Sequence, residues 1–484
     1  MDRKRIAILP QAPRGGAPAV GRADDAPQMV SLYEAHQTIY PRSVTGFFSH
    51  WRWALVILTQ LVFYGLPWIE WGQRQVVLFD LGARRFYIFS LVLYPQDFIY
   101  LTGILVVSAL SLFLFTAVAG RLWCGYACPQ TVYTEMFLWI ERKIEGDRSA
   151  RMRRDAGAWS LERAARKSTK HMIWLALALW TGFSFVGYFT PIRELGLEVL
   201  HSQLSSWEMF WTLFYGLATY GNAGFLREQV CKHMCPYARF QSAMFDRDTL
   251  IVGYDLQRGE PRGARSRTAD PHALQLGACV DCSLCVQVCP TGIDIRNGLQ
   301  YECIGCGACA DICDRVMDKL GYARGLVKYS TQNAIEHAWT RVQMVRRVLR
   351  PRVLIYAGIL VAVGLALLIS LALRAPFKVD VVRDRGALAR LVQDAVVENV
   401  YRLQIMNATE ARQRYSISVS GLPGIAVDSD TSFVVESTQS RWVAVRVRLP
   451  LSGQDAGAHT IVFHVAADGA AGRLAEKAAF LIPR

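Results

Sequence analysis

The chain has 484 residues, 52% of them apolar, and a formal net charge of +14. That length exceeds one ordinary folding unit, and the apolar excess argues against a purely soluble protein. Such a charge would suggest nucleic acid in a soluble protein, but basic loops beside membrane spans produce the same balance, so nucleic acid is left out as a partner.

Residues 1–50 are polar, basic and dotted with Pro and Gly. They lack the apolar core of a signal peptide and are predicted to be a flexible cytoplasmic leader. Five apolar stretches follow that could cross a bilayer as helices: Trp53–Trp71, Phe98–Ala119, Met172–Thr190, Trp207–Leu226 and Val353–Leu373. The fifth carries no charge, whereas the fourth contains Glu208 and Asn222. Six Lys or Arg lie in the leader, eleven between the second and third stretches, and one, Arg193, between the third and fourth. The long segment after the fourth is basic throughout. The asymmetry places the leader, the second loop and the fourth loop in the cytoplasm and the C-terminal tail outside.

Two short thiol pairs border the spans. LWCGYACPQTV holds Cys124 and Cys128, and VCKHMCPYARF holds Cys231 and Cys235. In each pair a proline follows the second cysteine, which predicts that Cys128 and Cys235 cap helix starts. A helix N-terminus favours thiolate, and Arg121, Lys232 and Arg239 add positive charge, so both pairs are expected to be activated. The two segments read as an internal repeat, with four thiols meeting at one place. Copper, a third cluster, structural zinc and a redox disulfide all remain open for them; soft thiolates suit Cu(I). His171, His233 and Met234 lie near this surface, and each is more simply packing or solvated than a ligand. Trp123, Tyr133, Trp139 and Phe240 read as an interfacial belt.

The strongest signal is CVDCSLCVQVCPTGIDIRNGLQYECIGCGACADIC, residues 279–313, which holds eight of the twelve cysteines. Two C-x2-C-x2-C-x3-C runs make the bacterial two-cluster ferredoxin pattern, in which each remote cysteine closes the other cluster. Cys279, Cys282, Cys285 and Cys313 should hold one [4Fe-4S] cluster, and Cys303, Cys306, Cys309 and Cys289 the second. Zinc sites use separated C-x2-C pairs and fit this tight run poorly. Ser283, Gly305, Gly307 and Ala308 leave room for backbone N–H groups to approach sulfide. The first run ends Cys289-Pro290, but the second ends Cys313-Asp314, a departure from the pattern. After the fifth span, short alternating segments such as RWVAVRVRL, punctuated by turn residues, predict an immunoglobulin-like β-sandwich without catalytic residues.

The segments WCGYACPQTVYTEMFLWIER, REQVCKHMCPYARFQSAMFD and the eight-cysteine run closely resemble the CcoG family, also called FixG or RdxA. These are cytochrome c oxidase accessory proteins of bacterial inner membranes. The resemblance runs from about Tyr33 into the tail. It implies two [4Fe-4S] clusters, a periplasmic immunoglobulin-like tail and a part in assembling cbb3-type cytochrome oxidase. It further implies reduction of Cu(II) to Cu(I), with Cys124, Cys128, Cys231 and Cys235 as the copper-handling thiols and a copper transporter or chaperone as acceptor. Quinol-linked electron transfer and a non-catalytic assembly scaffold are the alternatives. The electron donor is unidentified and homodimerisation is left open.

The expected architecture is multi-domain: an α-helical membrane domain of about five transmembrane helices, an inserted bacterial-type 2[4Fe-4S] ferredoxin-like domain and a C-terminal immunoglobulin-like β-sandwich. The expected boundaries are 1–50 for the leader, 51–245 for four helices with both C-x3-C-P motifs, 246–345 for the ferredoxin-like domain, 346–376 for the fifth helix and 377–484 for the tail.

Overall fold

Five long helices mark the expected apolar stretches in the computed structural model: Phe47–Gly65, Phe98–Ala119, Leu161–Val186, Ser206–Gly221 and Pro351–Ala372. The structure describes residues 38–72, 74–266, 273–384, 389–392, 396–451, 455–468 and 472–483. Among them, only the helices ending at Ala119 and Ala372 are long and apolar enough to cross a membrane. The other three depart for visible reasons. The first carries Arg52, buried and paired with Glu135 at 3.2 Å. The third begins with a basic half, LERAARKSTK. The fourth has 16 residues before the backbone widens into a π-helical turn at Asn222–Leu226. Its Glu208 sits in the first turn, where it forms a capping box with Ser205, so that charge lies at a helix end. All five helices nonetheless expose large apolar side chains, among them Leu61, Ile99, Met172, Phe210 and Leu368.

The leader is not flexible throughout. Most of it, residues 1–37, lies outside the described residues. From Tyr40 onward the chain belongs to one compact unit. The Arg42 N–H donates to the Gln287 carbonyl at 2.8 Å, and Ser43 donates to Asp147 through its N–H and its hydroxyl, both at 3.0 Å. Asp311, on the helix Ala308–Leu320, accepts from the N–H groups of Phe48 at 3.1 Å and Ser49 at 2.8 Å. A carboxylate from the cysteine-rich lobe thus caps the first long helix, satisfying donors that its own Gly46 N-cap leaves free.

Residues 66–97 join the first two long helices. The chain there forms a three-stranded antiparallel meander, Val77–Asp80, Arg85–Ile88 and Leu91–Leu93. Alternation is too brief in these strands to stand out. Leu78, Tyr87, Val92 and Tyr94 pack with Met406 of the tail, and the Tyr94 hydroxyl donates to the Asn407 carbonyl at 2.9 Å. Asp97 is buried beside Arg374 and Lys378.

The tail is the expected two-sheet sandwich. One sheet runs in the order Ala426–Val427, Ser440–Pro450, Val396–Asn407 and Phe377–Arg383, with Arg390–Val392 also on the Val396 strand; the other runs Ser432–Val435, Gln413–Ser420, Gly457–Ala467 and Arg473–Ile482. In RWVAVRVRL the predicted faces hold: Val445, Val447 and Leu449 are in the core, while Arg446 is exposed. Tyr401, Phe463 and Phe480 fill the space between sheets with no exposed surface.

Candidate electron-transfer site

The eight-cysteine segment wraps two cavities. One, about 380 Å³ of empty space, is lined by Cys279, Cys282, Cys285 and Cys313 together with apolar residues such as Leu284, Met317 and Leu326. The other, about 340 Å³, is lined by Cys289, Cys303, Cys306 and Cys309 with Ile293, Ile295 and Ile304, and Cys285 reaches its wall. These are the two crossed sets expected from spacing. Electrostatics groups the thiols in the same way. Burial first, then neighbours that include Cys285 and Cys279, pushes Cys313 up to about 12. Burial first, then neighbours that include Cys306 and Cys289, pushes Cys303 up to about 12.

Among the described residues no three His, Cys, Asp or Glu side chains converge on a point that could hold a single metal ion. Apolar cavities ringed by four thiols each do fit iron–sulfur cubanes, which would accept and pass single electrons. The loops supply the curvature. Gly305 and Gly307 have φ of 68° and 72°, and a Cβ on Gly307 would lie 2.9 Å from the Tyr329 hydroxyl. Ser283 adopts the left-handed conformation as well, with φ of 53°. The missing proline after Cys313 has a local explanation. Cys313 lies inside the helix Ala308–Leu320, and Asp314 accepts the Gly325 N–H at 2.8 Å, so the chain is fixed there by a hydrogen bond.

The four remaining cysteines are neighbours, as expected of a repeat. Cys128 and Cys235 are the N-caps of helices Pro129–Glu145 and Pro236–Met244. Cys124 lies in a short helical turn, Leu122–Tyr126, and Cys231 in a second π-helical turn, Val230–Met234. Side chains just past each pair tie the halves together. The Gln130 amide donates to the carbonyls of Asn222 at 2.9 Å and Arg227 at 3.0 Å. The Cys124 thiol donates to the amide oxygen of Gln241, a fully buried side chain on the helix after the second pair, at 3.2 Å. Arg227 pairs with Glu141, which also holds Arg151 and Lys170. Gln130 and Gln241 gave no signal in the sequence, since lone glutamines on amphipathic helices read as surface.

One expectation about these thiols changes: Cys124, Cys128 and Cys231 are not activated. Burial, the largest cause, pushes Cys124 up to about 12, with Cys128 adding to the rise and Arg121 opposing it. Burial followed by Cys128 and Cys235 pushes Cys231 up to about 11, and burial also raises Cys128. At these three sulfurs loss of water outweighs the helix N-terminus and the nearby Arg121. His171 accepts or donates one hydrogen bond with the Tyr220 hydroxyl at 3.0 Å and packs on Trp174 and Phe225, a packing role. His233 and Met234 are exposed.

The four-thiol site abuts the second cage. Cys124 and Cys231 pack on the cluster of Val288, Ile304, Cys306, Ala308 and Ile312. A Cβ on Gly125 would stand 2.8 Å from the Ile304 carbonyl and 2.9 Å from the Cys306 backbone N, so only glycine permits this approach. The Tyr329 hydroxyl donates to the Gly305 carbonyl at 2.6 Å and is 3.1 Å from the Tyr126 hydroxyl, between the first pair's cysteines. The Tyr301 hydroxyl donates to the Lys232 carbonyl, between the second pair's cysteines.

Two four-thiol cavities in a ferredoxin-type lobe, contiguous with apolar helices and an immunoglobulin-like tail, define an iron–sulfur protein of the electron-transferring class. Family descriptions agree: "4Fe-4S dicluster domain" over residues 226–332, "4Fe-4S binding domain" over 101–146, and "IG-like fold at C-terminal of FixG" over 367–483. The nitrogen fixation protein FixG of Rhizobium meliloti is 40% identical over 425 residues, covering 81% of this chain and 81% of its own. Proteins RdxA and RdxB of Cereibacter sphaeroides are each 38% identical, over 81% and 83% of this chain and 84% and 85% of their own lengths. The chain belongs to the FixG/RdxA family.

Proposed function

We propose that the protein is a membrane-anchored electron carrier that delivers single electrons to a cupric ion at Cys124, Cys128, Cys231 and Cys235, supplying Cu(I) for maturation of cbb3-type cytochrome oxidase. The observation that carries the reading is the close approach of Gly125 to the Ile304–Cys306 backbone, which sets the four-thiol site directly against the second cage. The copper assignment itself follows the family resemblance. Each turnover takes one electron from a cytoplasmic donor and converts one Cu(II) to Cu(I), which soft thiolates retain until a transporter or chaperone accepts it. Chain residues exclude water and set the spacing of the thiols.

Five helices crossing the bilayer is part of this proposal. It is supported by apolar side chains exposed on all five and by the loop asymmetry in Lys and Arg. The packing of 77–94 against the tail fits both lying on the periplasmic side. The test is cupric reductase activity of anaerobically purified protein, compared with the variant in which all four C-x3-C-P cysteines are serine. Full activity in that variant would remove the site assignment, and quinol oxidation without copper dependence would replace the function.

A second reading is favoured by one observation: the four thiols are half-buried neighbours whose charges act on one another, as the thiols of the two cages do. A third iron–sulfur cluster would then occupy them. Iron content separates the two, at about eight per chain for two cubanes and about twelve for three.

A further inference from the structure

Four cationic side chains are buried among the described residues: Arg52, Arg121, Arg151 and Lys170. Three have carboxylate partners, Arg52 with Glu135 at 3.2 Å, Arg151 with Glu141 at 2.6 Å and Lys170 with Glu145 at 2.9 Å. Arg121 has none: among the described residues no carboxylate lies within ion-pair distance of it. An isolated buried charge is strongly unfavourable unless an opposite charge compensates it. The guanidinium is held instead by backbone carbonyls. One terminal nitrogen donates to Tyr301 and, at 3.4 Å, to Cys303 in the second cage's loop; the other donates to Ala238 on the helix that follows the second thiol pair. Its own backbone leads into the first thiol pair, with the Gly125 N–H donating to the Arg121 carbonyl at 3.2 Å. Arg121 therefore stands where three thiol-bearing segments meet; Cys124, Cys231 and Cys303 each feel its charge, and the Tyr301 ring lies 5.7 Å from its guanidinium.

We infer that Arg121 is the counter-ion of the second cage, and that its positive charge sets that cage's reduction potential. The inference rests on the iron–sulfur reading above and adds to it a residue outside the twelve cysteines. A fixed positive charge favours the more negative, reduced state of a nearby centre and so raises its midpoint potential. The other cage, with Cys279 and Cys313, has no such contact with Arg121 and serves as an internal reference. Arg121 is a positioning residue: it acts through the thiolates.

The experiment uses full-length protein purified without oxygen, with iron and sulfide content measured first and a redox titration followed by electron paramagnetic resonance. Arg121→Gln removes the charge, and Arg121→Lys keeps it while losing the guanidinium's fork. With iron unchanged, R121Q is expected to move one midpoint potential to a more negative value and leave the other in place, while R121K stays near the unaltered protein. If R121Q instead loses half its iron and R121K retains it, the charge is again what the site requires. The inference is overturned if neither potential moves in R121Q, if both move equally, or if R121K shifts or loses iron as R121Q does, since donor geometry would then explain the residue. An unaltered protein with no iron–sulfur signal would bring down the proposed function and this inference with it.

Discussion

The two thiol regions achieve similar environments by opposite routes. In the cysteine-rich lobe the ligands of each cage fall within 35 residues of sequence, and the loops between them, turned by Gly305, Gly307 and Ser283, do the folding. In the four-thiol site, 107 positions separate Cys124 from Cys231, and the halves are joined by side chains that are not ligands: Gln130, Gln241 and the Glu141 ion cluster. A locally coded cage needs the short-range geometry of its own loops. A site assembled across helices depends on the packing of the whole helical domain, and so should fail under mutations far from any sulfur.

The largest expected effect breaks the local cage. Replacing Cys306 by serine should leave about four iron atoms per chain, because one cubane loses a ligand while the other keeps all four. Iron analysis and the loss of one of two reducible centres would check it, and an unchanged iron count would mean the crossed ligand sets are wrong. Next, Gly125→Val should separate the two regions. Its new side chain would meet backbone at 2.8 Å, which rigid backbone cannot relieve, so a destabilisation of about 1–3 kcal/mol is expected. Cupric reduction should fall at least about tenfold while the iron content stays, a combination that a purely structural fault would not give.

A smaller effect concerns the halves of the dispersed site. Gln130→Ala leaves the carbonyls of Asn222 and Arg227 without this donor and should lower stability by about 1 kcal/mol. It should weaken metal retention by the four thiols more than by the two cages, measured as metal released to a chelator over time. The smallest effect tests the docked segment after residue 39. Burial works to raise the Asp147 carboxyl, but N–H groups of Arg148 and Ser43 and the Ser43 hydroxyl outweigh it, holding the group below its ordinary value. A carboxyl lowered in this way stabilises docking above its unfolded value and loses that contribution as pH falls through the folded one. Limited proteolysis near Ser43 should therefore be unchanged across the neutral range and should increase only below about pH 4. Increased cleavage at pH 6 would contradict it.

The same contrast explains what could be read in the chain of letters. Both cage ligand sets follow from spacing, and the tail's faces follow from alternation in RWVAVRVRL, because these signals are written within a few residues. The helix starts at Pro129 and Pro236 were visible for the same reason. The thiol acidity was read with the wrong sign. Sequence reveals a helix N-terminus and nearby Arg or Lys, but it does not reveal burial, and burial decides here. The meander at 77–93 escaped because its strands have three or four residues each and complete their core against residues far away in the chain, Phe189 and Met406. Arg121 was seen as charge beside a motif; its lack of a carboxylate partner is a property of the fold alone.

The cap on the first long helix has a consequence for how the protein is made. Phe48 and Ser49 emerge early in synthesis, yet the acceptor for their N–H groups is Asp311, which is translated more than 260 residues later. Asp311 sits two positions after Cys309 on the helix that lines the second cavity. Until the cysteine lobe has closed, this helix start lacks the acceptor for those two N–H groups. Completion of the cysteine-bearing lobe and completion of the first long helix are thereby made one event.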